Sequence, residues 1–279
     1  MSQEGRHTTR EVRAFTIIEL VTVIATLVVL SALLLPALAK SQSQSHTTID
    51  ISNVRQILKA VHIYSSDNSD FLPHPTWGTG ITGWAYSAGI RDGALSFGAT
   101  PTQVAAVMTN QLGYFRKSQL GPLLNYDQKL LECPTDVAMR KSGDYKIRYL
   151  QRQIKLTSYC FSGAISGFGT QKEAPNANSG GTYKLSSFRP ASFIIWEEDE
   201  MSSFNFNDAA SNQENSNEGQ SQRHTILGGT GRIAIASNSN GRGMVGTFGG
   251  EANFVKIKTF ATLRNTPPEN DVRCGPGYR

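Results

Sequence analysis

The chain has 279 residues, 18% of them charged and 39% hydrophobic, with 27 Lys and Arg against 22 Asp and Glu for a formal net charge of +5. That balance excludes a disordered polyelectrolyte, and the length leaves room for one long helix plus one soluble domain of ordinary size. Cys133, Cys160 and Cys274 are too few and too widely spaced for a paired-ligand zinc motif; outside the cytoplasm they would allow one disulfide with one thiol left over, or simple packing of all three.

Residues 1–14, MSQEGRHTTREVRA, carry Arg6, Arg10 and Arg13 against Glu4 and Glu11. From Phe15 to Ala39 runs FTIIELVTVIATLVVLSALLLPALA, interrupted by one charge, Glu19. Crossing the hydrocarbon core of a bilayer takes roughly 20 apolar residues in a helix, so this stretch is long enough. No other is. Positive charge just before the span favours a cytoplasmic N-terminus and places the C-terminal remainder of the chain on the far side. A carboxylate at the centre of a spanning helix costs about 2.5–3.5 kcal/mol. Glu19, one turn into the run, either snorkels to the interface or has a partner.

Beyond Lys40 a polar bridge leads to Ile51, Val54, Ile57, Leu58, Val61 and Tyr64, which recur at helical spacing and mark a face laid on a core. One helix from about Phe15 to Ser65 is expected, with Pro36 and the Ser/Thr-rich bridge as the places where it would kink. SSDNSDFLPHPTWG ends it. Further on, the composition predicts a short helix at Thr102–Leu112, strands at Arg148–Phe161 and Ala191–Trp196, a polar loop over Asp208–Gln222, strands at Arg232–Ala236, Met244–Phe248 and Asn253–Phe260, and an exposed turn-rich tail.

Small Ala14 before Phe15, the acid Glu19 at the fifth position counted from that Phe, and Pro36 at the 22nd closely resemble the signal of type IV pilins and type II secretion pseudopilins. In that family a prepilin peptidase cuts between a small residue and Phe, and the new N-terminus is methylated. The resemblance implies cleavage between Ala14 and Phe15, although glycine is the commoner residue before the cut. It gives Glu19 the role of neutralising the freed amine of an adjacent subunit, which removes the desolvation penalty of both charges. Pro36 to Lys40, Val54 to Ile57, and Tyr64, Asp67, Asn68 and Pro73 are similar to the N-terminal unit of the pseudopilin-like families of Verrucomicrobia and Planctomycetes. Cys133-Pro134-Thr135-Asp136, Ser158-Tyr159 and FRPASFIIWEEDE continue the likeness.

The resemblance implies an α+β fold, with a long N-terminal helix, transmembrane in one half and amphipathic in the other, packed on an antiparallel β-sheet head domain. Its divisions are a leader at 1–14, a transmembrane helix at 15–39, the amphipathic continuation at 40–66 and the extracytoplasmic head at 67–279.

Among candidate sites, Glu197, Glu198, Asp199 and Glu200 form the densest carboxylate cluster, open to reading as a calcium loop or a solvated strand end. His224 matches the His of the family's C-terminal signature, with Gly249-Gly250 where an Asp-Gly turn is expected. Without a convergent acid and nucleophile it reads as a locally hydrogen-bonded histidine. Arg140, Lys141, Lys146, Arg148, Arg152 and Lys155 are a basic stretch with the character of a solvated strand face; nucleic acid would need aromatic stacking as well. No G-x-S-x-G, H-E-x-x-H or Walker loop is present.

The expected function is noncatalytic: a pseudopilin-like subunit of a bacterial inner-membrane filament, with prepilin peptidase, other pilin-like subunits and an inner-membrane secretion platform as partners and no obligatory cofactor. Two rivals stand. Ala37-Leu38-Ala39 is an A-x-A site for ordinary signal peptidase, which would release an exported protein starting at Lys40. A membrane-anchored module could instead bind glycans through Trp77, Trp84 and Trp196.

Overall fold

The structure, a computed structural model, describes residues 15–76, 80–90, 93–96, 98–167, 174–200, 208–209, 219–221, 223–224, 241–266 and 269–277. The chain divides into two units, residues 1–42 and 43–279. Helix α1, Ile17–Asp67, runs through both and contains Pro36. It opens with a capping box: Thr16 N–H and Oγ1 donate to Glu19 Oε2, both at 2.8 Å, and Glu19 N–H donates to Thr16 Oγ1 at 3.3 Å. This reciprocal exchange satisfies donors that every helix start leaves without partners. In the first unit every large apolar side chain from Ile17 to Leu38 is exposed, between 47% and 83%. This is the one helix among the described residues that is long and apolar enough to cross a membrane.

The second unit is α+β. Its five-stranded sheet has the order β3-β1-β2-β4-β5, with β1 Tyr159–Ser162, β2 Phe193–Glu197, β3 Asp208–Ala209, β4 Arg242–Thr247 and β5 Ala252–Lys256. Four strands are antiparallel neighbours. The sheet is nevertheless mixed, because the two-residue β3 lies parallel to β1. A parallel neighbour needs a crossover, and β3 follows β2 in sequence yet sits at the far side of β1.

The head part of α1 lays Val54, Ile57, Leu58 and Val61 on one sheet face, together with Tyr159, Phe161, Ile195 and Met244. Alternate residues Cys160, Trp196 and Val245 point to the other face, where Phe260 and Val272 cover them. Phe260 belongs to helix α5, Ile257–Asn265. The predicted strand Asn253–Phe260 therefore ends at Lys256, and its remainder is helical because Phe260 and Leu263, three apart, both pack on that second face. The tail is likewise not exposed at Val272 and Cys274.

Helix α2, Pro101–Phe115, contains the predicted Thr102–Leu112 and starts on a Thr100–Gln103 capping box with Pro101 in the first turn. Helices α3, Pro134–Met139, and α4, Gly143–Gln151, come next. The predicted strand over Arg148–Phe161 is thus helix at its start and strand only from Tyr159. Asp144 in the first turn and Arg148 in the last turn of α4 match the helix dipole, and Tyr149 and Leu150 are its buried pair. Gly249-Gly250 makes the turn between β4 and β5, with Gly250 at φ +91° donating to Thr247 O at 3.0 Å. The strand expected at Arg232–Ala236 lies outside the described residues.

Candidate functional site

Ala14 lies outside the described residues, and so does Trp77; Phe15 is exposed. Trp84 and Trp196 are core residues, Trp84 stacked on Phe161 with centroids 4.3 Å apart and Trp196 edge-on to Phe260. Cys133, Cys160 and Cys274 are all buried, and none of the three is in a disulfide.

The four consecutive carboxylates are not a solvated strand end. Glu197, Glu198 and Glu200 are all buried, and the side chains of Glu197 and Glu200 share Arg223 while each has partners of its own. Glu200 Oε2 accepts the Ser221 hydroxyl at 2.6 Å and faces Arg223 Nε at 3.4 Å. Glu197, at the end of β2, uses Oε2 to accept the Met244 N–H at 2.8 Å. Its Oε1 lies 3.1 Å from His224 Nε2 and 3.6 Å from Arg223 Nη1.

His224 is the hub of a buried polar cluster. A two-way backbone bridge to Arg242, at 3.2 and 3.0 Å, fixes its backbone, and the ring leans on Phe254. Around Nε2 stand Glu197 Oε1, Asp50 Oδ2 at 3.4 Å and Cys133 Sγ at 3.4 Å. Asp50 comes from α1, where it shares the stripe of Val54, Ile57 and Val61, and it is the first fully buried side chain along that helix. The Tyr159 hydroxyl donates to its Oδ1; Oδ2 has no hydrogen-bond donor. Cys133 is the N-cap residue of α3, which Pro134 starts, and its side chain makes no capping bond. The donor atoms of Asp50, Cys133, Glu197 and His224 all lie within 4.8 Å of one another.

Behind this cluster the buried basic residues find carboxylates and carbonyls. Arg152 grips Asp136 with two bonds, at 2.8 and 3.0 Å, and Ser158 adds a third at 2.7 Å. Arg223 reaches Glu198 O at 2.9 Å and stands 3.4 Å from Asp136 Oδ1. Lys155 Nζ donates to the carbonyls of Tyr149, Leu150 and Arg152, each at 2.8 Å. The expected solvated basic strand face is therefore divided: Lys141, Lys146 and Arg148 are exposed, whereas Arg152 and Lys155 are buried.

Burial, with Glu197 nearby, raises the Asp50 carboxyl to about 7. Burial also opposes charge on Glu197, but His224 and Arg223 outweigh it and hold the carboxyl low. For His224 burial is outweighed by Glu197, so its pKa is raised. The Cys133 thiol is pushed well up, by burial first and then by Asp50 and Glu197. Cys133 and His224 have the pairing of a nucleophile and its base, but an enclosed thiol held neutral is a poor nucleophile. What one nitrogen, one sulfur and two oxygens converging in this way can do is hold a cation.

Two of these four residues, Asp50 and Cys133, escape sequence reasoning. Asp50 leaves a trace, since an acid four residues before Val54 and seven before Ile57 sits on the apolar stripe. Cys133 leaves none. No family model, curated protein or solved structure matches the chain.

Proposed function

We propose that this chain is a pseudopilin-like structural subunit of a bacterial inner-membrane filament of the type II secretion or type IV pilus kind. In this reading it is cut between Ala14 and Phe15 by prepilin peptidase and joined to other pilin-like subunits through its apolar helix. The N-terminus begins in the cytoplasm, the head lies outside, and the role is noncatalytic.

The observation that carries the reading is the first unit: an apolar helix whose large side chains from Ile17 to Leu38 are all exposed, bearing one carboxylate at its start. A large apolar side chain is worth about 1.5–3 kcal/mol when fully buried, so a row of them left exposed calls for lipid or neighbouring helices. Glu19 bonds to Thr16 in the isolated chain. Cutting after Ala14 places an ammonium one residue before Thr16, within reach of the corresponding carboxylate of a neighbour.

Mass spectrometry of the protein isolated from its own envelope tests this. The expected N-terminus is Phe15, methylated. Retention of Met1 overturns the reading, and a chain starting at Lys40 replaces it with an exported protein cut at Ala37-Leu38-Ala39. Glu19→Ala is expected to abolish co-assembly, read by crosslinking between subunits, while the head stays folded.

A further inference from the structure

We propose that Asp50, Cys133, Glu197 and His224 bind a zinc ion that fastens helix α1 to the head. The geometry is that of a closed four-donor cage. Tetrahedral zinc with bonds of about 2.0–2.3 Å sets neighbouring donors roughly 3.3–3.7 Å apart. His224 Nε2 lies 3.1, 3.4 and 3.4 Å from Glu197 Oε1, Asp50 Oδ2 and Cys133 Sγ, and no pair of donors is wider than 4.8 Å. The imidazole N–H can serve Glu197 Oε1 and the Cys133 thiol can give its own proton to the same carboxylate, which still leaves the buried Asp50 Oδ2 with no donor. A cation at their centre serves all four donors.

The supporting groups point the same way. Each carboxylate has one oxygen held by a protein donor and the other turned inward: Asp50 Oδ1 by the Tyr159 hydroxyl and Glu197 Oε2 by the Met244 N–H. Outer partners of this kind orient ligands for single-oxygen coordination. The inward Asp50 Oδ2 is fully buried and has no hydrogen-bond donor. Thiolate and imidazole among the ligands select zinc over calcium or magnesium, which take oxygen. Two carboxylates and a thiolate around a doubly charged ion leave one negative charge, and the buried Arg223 guanidinium faces it across Glu197. Coordination removes the thiol proton outright, whatever burial does to it beforehand.

All four donors are at least nine-tenths buried, which describes a structural site with no position left open for substrate. They come from residue 50 of α1, residue 133 before α3, the end of β2 and the residue bridged to Arg242 at the start of β4. A metal drawing on such distant segments closes long loops, and its binding energy becomes folding energy.

The test uses the full chain in detergent under reducing conditions, stripped with chelator and reloaded with zinc or cobalt. One zinc per chain is expected by elemental analysis. The cobalt form is expected to show the intense visible bands of four-coordination and a thiolate charge-transfer band that Cys133→Ser removes. Tyr159→Phe, which frees Asp50 Oδ1 but keeps the ring, should weaken zinc binding about 10–100-fold. Wild-type chain that takes up no stoichiometric zinc, or a cobalt spectrum without the thiolate band, overturns the proposal. Both readings come from the wild-type chain, so a ligand variant that fails to fold does not blunt the test. Neither depends on how the N-terminus is processed.

Discussion

At the scale of single residues, the strongest commitments in the head are buried charges. Asp136 is fully enclosed, its carboxyl held far below the usual range: burial opposes that, but Arg152 and then Arg223 outweigh it. Arg152→Met removes two bonds and leaves Asp136 only Ser158 and the more distant Arg223, so it should cost about 3 kcal/mol in chemical denaturation, the low end for breaking a buried pair. His74 behaves oppositely. It is wholly buried, accepts the Thr76 N–H on Nδ1 at 3.1 Å, and burial brings its pKa down to about 4. A base whose folded pKa lies below its ordinary 6.5 binds protons more readily when unfolded, so stability falls as pH drops from about 6.5 to 4. That share is on the order of 2–3 kcal/mol. His74→Asn, able to accept from Thr76, should flatten the acid limb of a stability–pH curve. The residues of the buried cluster are only partly legible in the sequence. His224 stands out through its resemblance to the His of a pseudopilin-like signature and Glu197 through its acidic neighbours. Asp50 is marked by its place on the helical stripe, whereas the local Cys133-Pro134-Thr135-Asp136 run says nothing of a role for Cys133, because that role lies in a contact 91 residues away.

At the scale of elements, legibility tracks periodicity and capping. The amphipathic half of α1, the capped α2 and the Gly249-Gly250 hairpin all carry their signals within a few residues, and all three are present. Arg148–Phe161 and Asn253–Phe260 read as strands throughout and are not, because β-branched and aromatic residues are also what a short helix uses to grip a sheet, and only the tertiary partner decides. Helix α1 and strands β2 and β4 come close together at Gly246 of β4. A Cβ there would meet Ile195 Cγ2 at 2.6 Å, Leu58 Cδ1 at 2.9 Å and Val54 Cγ1 at 3.0 Å. Gly246→Val should therefore push α1 off the sheet and cost about 1–3 kcal/mol in a thermal or denaturant melt, with little change in secondary structure.

At the scale of the whole molecule, the two units differ in what they ask of their surroundings. Residues 43–279 bury their own core, whereas the apolar stretch from Ile17 to Leu38 buries nothing within the chain. The full chain should sediment with membranes and resist alkaline extraction, while a chain starting at Ser43 should stay in the soluble fraction with the circular dichroism of a folded domain. The first buried side chain along α1, Asp50, carries a further consequence. Its carboxylate accepts the Tyr159 hydroxyl, which ties the helix by a side-chain bond to strand β1. Asn53, three residues on, donates to the Lys129 and Glu132 carbonyls, so the grip on the helix is shared between two successive polar side chains before the buried apolar stripe begins.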